Sequence, residues 1–199
     1  STDNGPHMNT WPDAGSSPFF GEKNTNWEGG WRVPSMVRWP GKIKAGSISN
    51  EIMHHMDWMP TFVAAAGNPD IKEQLLKGKS AIGRKYKVHL DGYNFLPYLT
   101  GNAEDGPRHE IFYFGESELG AVRIDDYKYR FIDQPGGWLG DKTHADVPYL
   151  TTLRLDPFER TGWPGNGSKD GSQNYFSWFQ YEFWRFVFVQ QEVAKLAET

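Results

Sequence analysis

Cysteine is absent from all 199 residues, which excludes disulfides, thiolate metal sites and cysteine nucleophiles together and leaves the redox compartment open. No run of five or six basic residues occurs and the formal net charge is -4, so neither nucleic acid nor an anionic membrane surface is expected as a partner. The most apolar stretch, Phe176 to Val189, is broken by Gln180, Glu182 and Arg185. It falls short of the roughly 20 apolar residues a membrane span needs, so no membrane association is expected. A basic start followed by an apolar run, the mark of a secretory leader, does not open the chain. What is present is 38% hydrophobic and 16% aromatic residues, enough to fill the core of one sizeable domain or two small ones.

The order of elements reads as irregular segment, strand, helix, then a meander and a last helix. Residues 1–32 are rich in Gly, Asn, Ser and Pro with almost no periodicity and read as a long irregular segment, a kind that is usually functional or disordered. "RVPSMVRWPGKI" has an extended character, and Pro34 and Pro40 suggest an edge strand or a short buried strand. "NEIMHHMDWMPTFVAAAGNP" predicts a helix with Asp57 as N-cap, Pro60 in the first turn and Gly67 at the end. Residues 68–90 are polar and basic and expected on the surface, and "DGYNFLPYLTG" reads as a turn and a short helix or loop.

Composition shifts near Pro107. "HEIFYFGES", "LGAVRIDDYKYRFIDQ" and "YLTTLRLDP" alternate apolar and polar residues, which predicts three antiparallel strands with one buried face. "DPFERTGWPGNGSKDGSQ" reads as a loop. Residues 174–197 follow as one helix, and the aromatics Phe176, Trp178, Phe179, Tyr181, Phe183, Trp184, Phe186 and Phe188 lie nearly all round it, so it is expected to be buried or at an interface. The expected organisation is therefore 1–106 and 107–199.

The chemistry concentrates in the first thirty residues. Asp3 offers a carboxylate and Asn4 a side-chain carbonyl, and the turn at Gly5-Pro6 can bring both oxygens to one hard cation. Two oxygens cannot complete a calcium or magnesium shell. Lys23 lies in "GEKNTNWEGGWR", where Gly21, Gly29 and Gly30 permit close backbone approach and a compact ammonium can meet an anion. His7 follows the carboxylate–amide pair and is a candidate to face substrate. His54 and His55 are adjacent, without the i, i+4 spacing that puts two imidazoles on one helix face, and are read as structural. Glu28 is read as a loop partner.

"STDNGPH", "GEKNTNWEGGWRVPSMVRWPGKIKAG" and "MDWMPTFVAAAG", in that order and spacing, resemble the second half of the type I sulfatases, the arylsulfatase-like members of the alkaline phosphatase superfamily. The resemblance is densest from Ser1 to Gly67 and extends through "DGYNFLPYLTG", "RHEIFYFGE", "LGAVRIDDYKYRF" and "LRLDPFER" into what looks like the family's small C-terminal domain. It implies an α/β parent fold, α+β in this stretch: the C-terminal end of the large domain, then a small antiparallel sheet with a packed C-terminal helix. By resemblance, Asp3 and Asn4 are calcium ligands, and Lys23 binds a sulfate oxygen and serves catalysis.

The departures are specific. The family nucleophile is a formylglycine made from the Cys of a C-x-P-S-R motif or the Ser of an S-x-P-x-R motif. Here Ser16-Ser17-Pro18 is followed by Phe20 where the arginine would stand. The formylglycine and the remaining metal ligands are expected upstream of Ser1, so the chain is expected to bind but not to turn over sulfate esters. A missing partner half would leave apolar surface near residues 33–66 and invite self-association. The resemblance implies a periplasmic or secreted location. Two alternatives stand beside it, a phosphodiester or phosphonate hydrolase of the same superfamily and a non-catalytic module that binds a sulfated glycan or a protein.

Overall fold

The computed structural model describes residues 1–8, 10, 15, 17–160 and 169–198. In chain order the elements are α1 (Glu28–Trp31), α2 (Trp58–Ala65), α3 (Ile71–Lys77), β1 (Lys79–Ala81), β2 (Arg84–Tyr86), α4 (Leu96–Leu99), β3 (Glu110–Gly115), β4 (Glu118–Ile124), β5 (Tyr127–Asp133), β6 (Thr143–Thr152), α5 (Lys169–Glu182) and α6 (Phe186–Ala197). They group into two compact units, one of residues 1–36 with 110–198 and one of residues 37–109. The first 36 residues thus belong with the sheet, whereas composition alone groups them with residues 37–106.

In the first unit β3 to β6 form an antiparallel meander in sequence order. The expected middle strand is in fact a hairpin, because Asp125 adopts a left-handed φ of 48° and the chain reverses between Ile124 and Tyr127. Asp is one of the few residues that tolerate this conformation without strain. Period-two alternation then builds two faces. Phe112, Val122, Tyr129 and Leu150 are in register across all four strands. On that face Val122, Tyr129 and Leu150 join Val189 of α6 in the buried core, flanked by Trp178, Phe179, Phe186 and Val193.

The other face is where the sequence reading needs correction. Lys128 and Arg130 alternate with Tyr127, Tyr129 and Phe131, a pattern that reads as a solvated face, yet both cations are completely buried. They are covered by α1 and the loop before it, and by Glu159, which supply the carboxylates described below. Both faces of the sheet are therefore buried.

The tail also differs from expectation. The helix starts at Lys169, ahead of residue 174, and a 3-10 turn at Phe183–Arg185 divides it into α5 and α6. Only one stripe meets the core. Tyr175 and Val189 are buried, whereas Tyr181, Phe183 and Trp184 are 80%, 56% and 53% exposed. The side chain of Phe176 and the expected loop over 161–168 lie outside the described residues.

In the second unit α2 starts at Trp58 as expected and closes at Gly67, whose φ is 98°. Asp57 is not the helix cap the sequence predicts. Its carboxylate accepts from the His54 and Tyr93 backbone N–H groups, both at 2.7 Å, and from the Arg108 guanidinium at 2.9 and 2.7 Å. Arginine's two-pronged donor outcompetes a helix N–H for a fully buried carboxylate. Asp57 and His54 close a short 3-10 turn instead, with Met56 N donating to His54 Nδ1 at 3.2 Å. Burial and the neighbouring Arg108 charge lower the His54 pKa. The segment 32–41 forms no strand, since its prolines withhold the ladder donors. Of the helix or loop expected in "DGYNFLPYLTG", the structure has the short helix α4, and β1 and β2 make a small exposed hairpin.

Candidate functional site

The site is assembled by fixing two irregular segments against one another. Gly5 N donates to Gly30 O at 2.9 Å, and Lys23 N donates to Pro6 O at 2.9 Å. This approach demands glycine: a Cβ on Gly5 would lie 1.9 Å from Gly29 O. Between the two segments Glu22, 7% exposed, holds its carboxylate. It accepts from Met8 N at 2.8 Å and from Trp138 N at 3.1 Å. Thr25 clamps the base of the same turn, donating its hydroxyl to Glu22 O at 2.7 Å.

Three side chains converge as a result. His7 packs on the Trp138 indole with ring centroids 4.2 Å apart, and the Lys23 ammonium stands 5.2 Å from the centroid of the same indole. Lys23, His7 and Trp138 are all half-buried, so each keeps some surface toward solvent. The structure brings the predicted Lys23 and His7 together on one aromatic side chain that sequence reasoning did not select. The signal was present in "QPGGWLG", an aromatic bracketed by glycines in a loop between strands. Glu22 was missed as well, since nothing in "GEK" distinguishes a buried clamp from a solvated acid.

Asp3 and Asn4 stand side by side, with Asn4 Nδ2 donating to Asp3 Oδ2 at 2.7 Å. That bond orients the amide and leaves Asp3 Oδ1 and Asn4 Oδ1 as acceptors. The donor set is hard oxygen, which suits calcium in kind and would supply two of the six to eight ligands it takes. Among the described residues no cluster of three or more His, Cys, Asp or Glu could hold a metal ion.

What holds the Lys23 loop to the sheet is a buried charge network. Glu28, the first residue of α1, accepts from the Tyr113 hydroxyl at 2.7 Å, from Lys128 Nζ at 3.1 Å and from Arg123 Nη1 at 3.4 Å. Its backbone N donates to Glu159 Oε2 at 2.6 Å. Lys128 Nζ also lies 3.2 Å from Glu159 Oε1, and Arg130 pairs with Asp133 at 2.9 Å and Glu159 at 3.5 Å. Three cations, Arg123, Lys128 and Arg130, thus face three carboxylates, Glu28, Asp133 and Glu159. Burial pushes the Glu28 pKa up, but Lys128, Arg123 and the Tyr113 hydroxyl outweigh it and hold the carboxyl below its usual range. For Glu159, burial wins over Lys128 and Arg130, with repulsion from Glu28 assisting, and the pKa is raised. Glu28 is therefore a loop partner, as expected, in a structural role.

Comparison with known proteins follows the same residues. A model of the sulfatase family matches residues 1–68. The chain is 36% identical over 134 residues to an arylsulfatase of Hemicentrotus pulcherrimus, a match covering 67% of this chain and 21% of that protein. It is 31% identical over 183 residues to the human N-acetylgalactosamine-6-sulfatase, covering 80% of this chain and 32% of the relative. In three dimensions it resembles the PsFucS1 sulfatase from Pseudoalteromonas sp., with a TM-score of 0.69 at 27% identity over 97% of this chain and 36% of that one. The chain spans between a fifth and a third of the length of these curated relatives. Sequence and fold agree along most of its length, and the chain belongs to the sulfatase family.

Proposed function

We propose that the protein hydrolyses sulfate esters, with Lys23 binding a sulfuryl oxygen, His7 facing the substrate, and Asp3 and Asn4 donating oxygens to a calcium ion. The observation that carries this reading is the convergence of Lys23 and His7 on Trp138, beside the turn that presents Asp3 and Asn4. A half-buried ammonium on a clamped loop is a preorganised donor for an anionic oxygen, and such donors stabilise charge as it moves to the leaving oxygen. Calcium, when bound, would add positive charge to the same sulfuryl group. The remaining calcium ligands and the formylglycine belong to the intact enzyme, because no Cys-x-Pro-x-Arg or Ser-x-Pro-x-Arg sequence occurs in these 199 residues. The chain alone is therefore expected to bind the sulfuryl group without turnover. A periplasmic or secreted location goes with this reading. The relatives named above are all sulfatases, and neither a phosphodiester or phosphonate hydrolase nor a non-catalytic binding module gains support from them.

The test is calorimetric titration of inorganic sulfate into the purified chain and into Lys23→Ala in the presence of calcium, together with hydrolysis of 4-nitrophenyl sulfate. Affinity about tenfold lower in Lys23→Ala, with no turnover by either protein, is the expected result. Equal affinity would refute the anchor, and turnover that depends on Lys23 would mean that a hydroxyl within this chain serves as nucleophile.

A further inference from the structure

We propose that Trp138 forms the wall of the site that selects the leaving group, favouring sulfate esters in which the sulfate is carried on or beside a ring. The inference rests on Lys23 as the sulfuryl anchor and adds a residue that the anchor alone does not require. The Lys23 ammonium is 5.2 Å from the indole centroid. A sulfuryl oxygen that accepts from that ammonium at about 2.8 Å on its indole side brings the ester carbon within reach of the ring. In that pose the group that carries the sulfate lies against the tryptophan.

The indole is held on a stiff stem, which makes it a surface rather than a floating side chain. Its backbone N–H is committed to Glu22 at 3.1 Å and its carbonyl to Gln134 Nε2 at 3.0 Å. Gln134, 5% exposed, also donates to Gly140 O at 3.2 Å, closing the loop on itself. Gly137 N donates to Gln134 O and Gly140 N to Gly137 O, both at 2.9 Å. The Glu22 carboxylate that fixes this stem also fixes the His7–Met8 segment, so wall and anchor share one support. A rigid aromatic contributes contact area at low entropic cost, and aromatic faces favour the flat apolar surface of another ring over a flexible alkyl chain.

The experiment measures binding of four ligands, inorganic sulfate, ethyl sulfate, 4-nitrophenyl sulfate and galactose 6-sulfate, to the unmodified chain, Trp138→Ala, Trp138→Phe and Lys23→Ala, by titration calorimetry with calcium present. Trp138→Ala is expected to weaken the ring-bearing esters by about three- to tenfold while leaving inorganic and ethyl sulfate within about twofold. Trp138→Phe is expected to recover part of that loss, and whichever ring-bearing ester loses more identifies an aryl or a saccharide leaving group. An equal loss on all four ligands would overturn the proposal and make the indole a prop for Lys23, and no loss on any would overturn it outright. Failure of the anchor is read separately, as inorganic sulfate affinity unchanged in Lys23→Ala with the indole intact.

Discussion

The Lys128 ammonium lies 3.1 Å from Glu28 Oε1, with the lysine side chain fully buried and the carboxylate 2% exposed. This pair joins the middle of the sheet to the helix that follows the Lys23 loop, so the stability of the sheet and the geometry of the candidate site rise and fall together. Removing one partner leaves the other charged and dry. Lys128→Ala is expected to destabilise by about 3 to 5 kcal/mol in urea unfolding. Replacing both Glu28 and Lys128 by neutral residues of similar volume should cost less than the sum of the single changes, and additivity would contradict the coupling.

The two coupled carboxylates titrate in opposite directions. Glu28 is depressed below 4.5, so its contribution is present above that value and lost as pH falls through the folded pKa. Glu159 is raised above 4.5, so its contribution is present below that value and lost as pH rises through the folded pKa. In unfolding measured from pH 3 to pH 8 and taken relative to the unmodified chain, Glu28→Gln should show a deficit that grows as pH rises toward 4.5 and is complete above it, whereas Glu159→Gln, which mimics the protonated acid, should gain stability as pH rises above 4.5. The same pH slope in both variants would contradict these assignments.

The aromatic tail divides by exposure. Leu150 is fully buried against α6, and Leu150→Ala should cost about 2 to 5 kcal/mol. Trp184, half exposed, should cost under about 1 kcal/mol as Trp184→Ala. Comparable losses in the two variants, read from denaturant midpoints, would place Trp184 in the core.

Gly5 permits the approach that builds the site. In Gly5→Ala the new Cβ must move off Gly29 O, breaking the bond from Gly5 N to Gly30 O. Sulfate affinity is expected to fall to the level of Lys23→Ala while the sheet keeps its far-ultraviolet circular dichroism. An unchanged affinity would separate the N-terminal segment from the anion site.

In the second unit Met56, Met59 and Phe62 are 42%, 45% and 62% exposed, and Phe62 stacks on Trp58 with centroids 5.3 Å apart. Such a patch favours association. Size-exclusion chromatography should show a concentration-dependent shift to larger species that Phe62→Glu diminishes; a single monomer peak across concentrations would argue against it.

The local grammar of this protein was readable where neighbours in sequence decide the outcome. Gly67 closes α2, the alternation in "YKYRFID" makes a strand, and "DNG" and "GEK" mark the residues around which the candidate site forms. It failed where partners come from far along the chain. Lys128 and Arg130 alternate with aromatics in the same way whether they face water or carboxylates, and the carboxylates come from Glu28 and Glu159. Asp57 precedes a helix and looks like its cap, but Arg108 takes it. Trp138 carries no signal of its own beyond its glycines, since its role arises only where Glu22 ties its loop to the Lys23 turn.

The separations within that clamp bear on the order of assembly. Glu22 reaches Trp138 across 116 residues, and Glu28 reaches Glu159 across 131. Contacts of such span are slow to close, whereas the hairpins of the meander join near neighbours. Refolding should therefore raise the sheet first and dock the Lys23 turn last. During synthesis, the Lys23 turn must wait undocked until the chain has been made as far as Glu159.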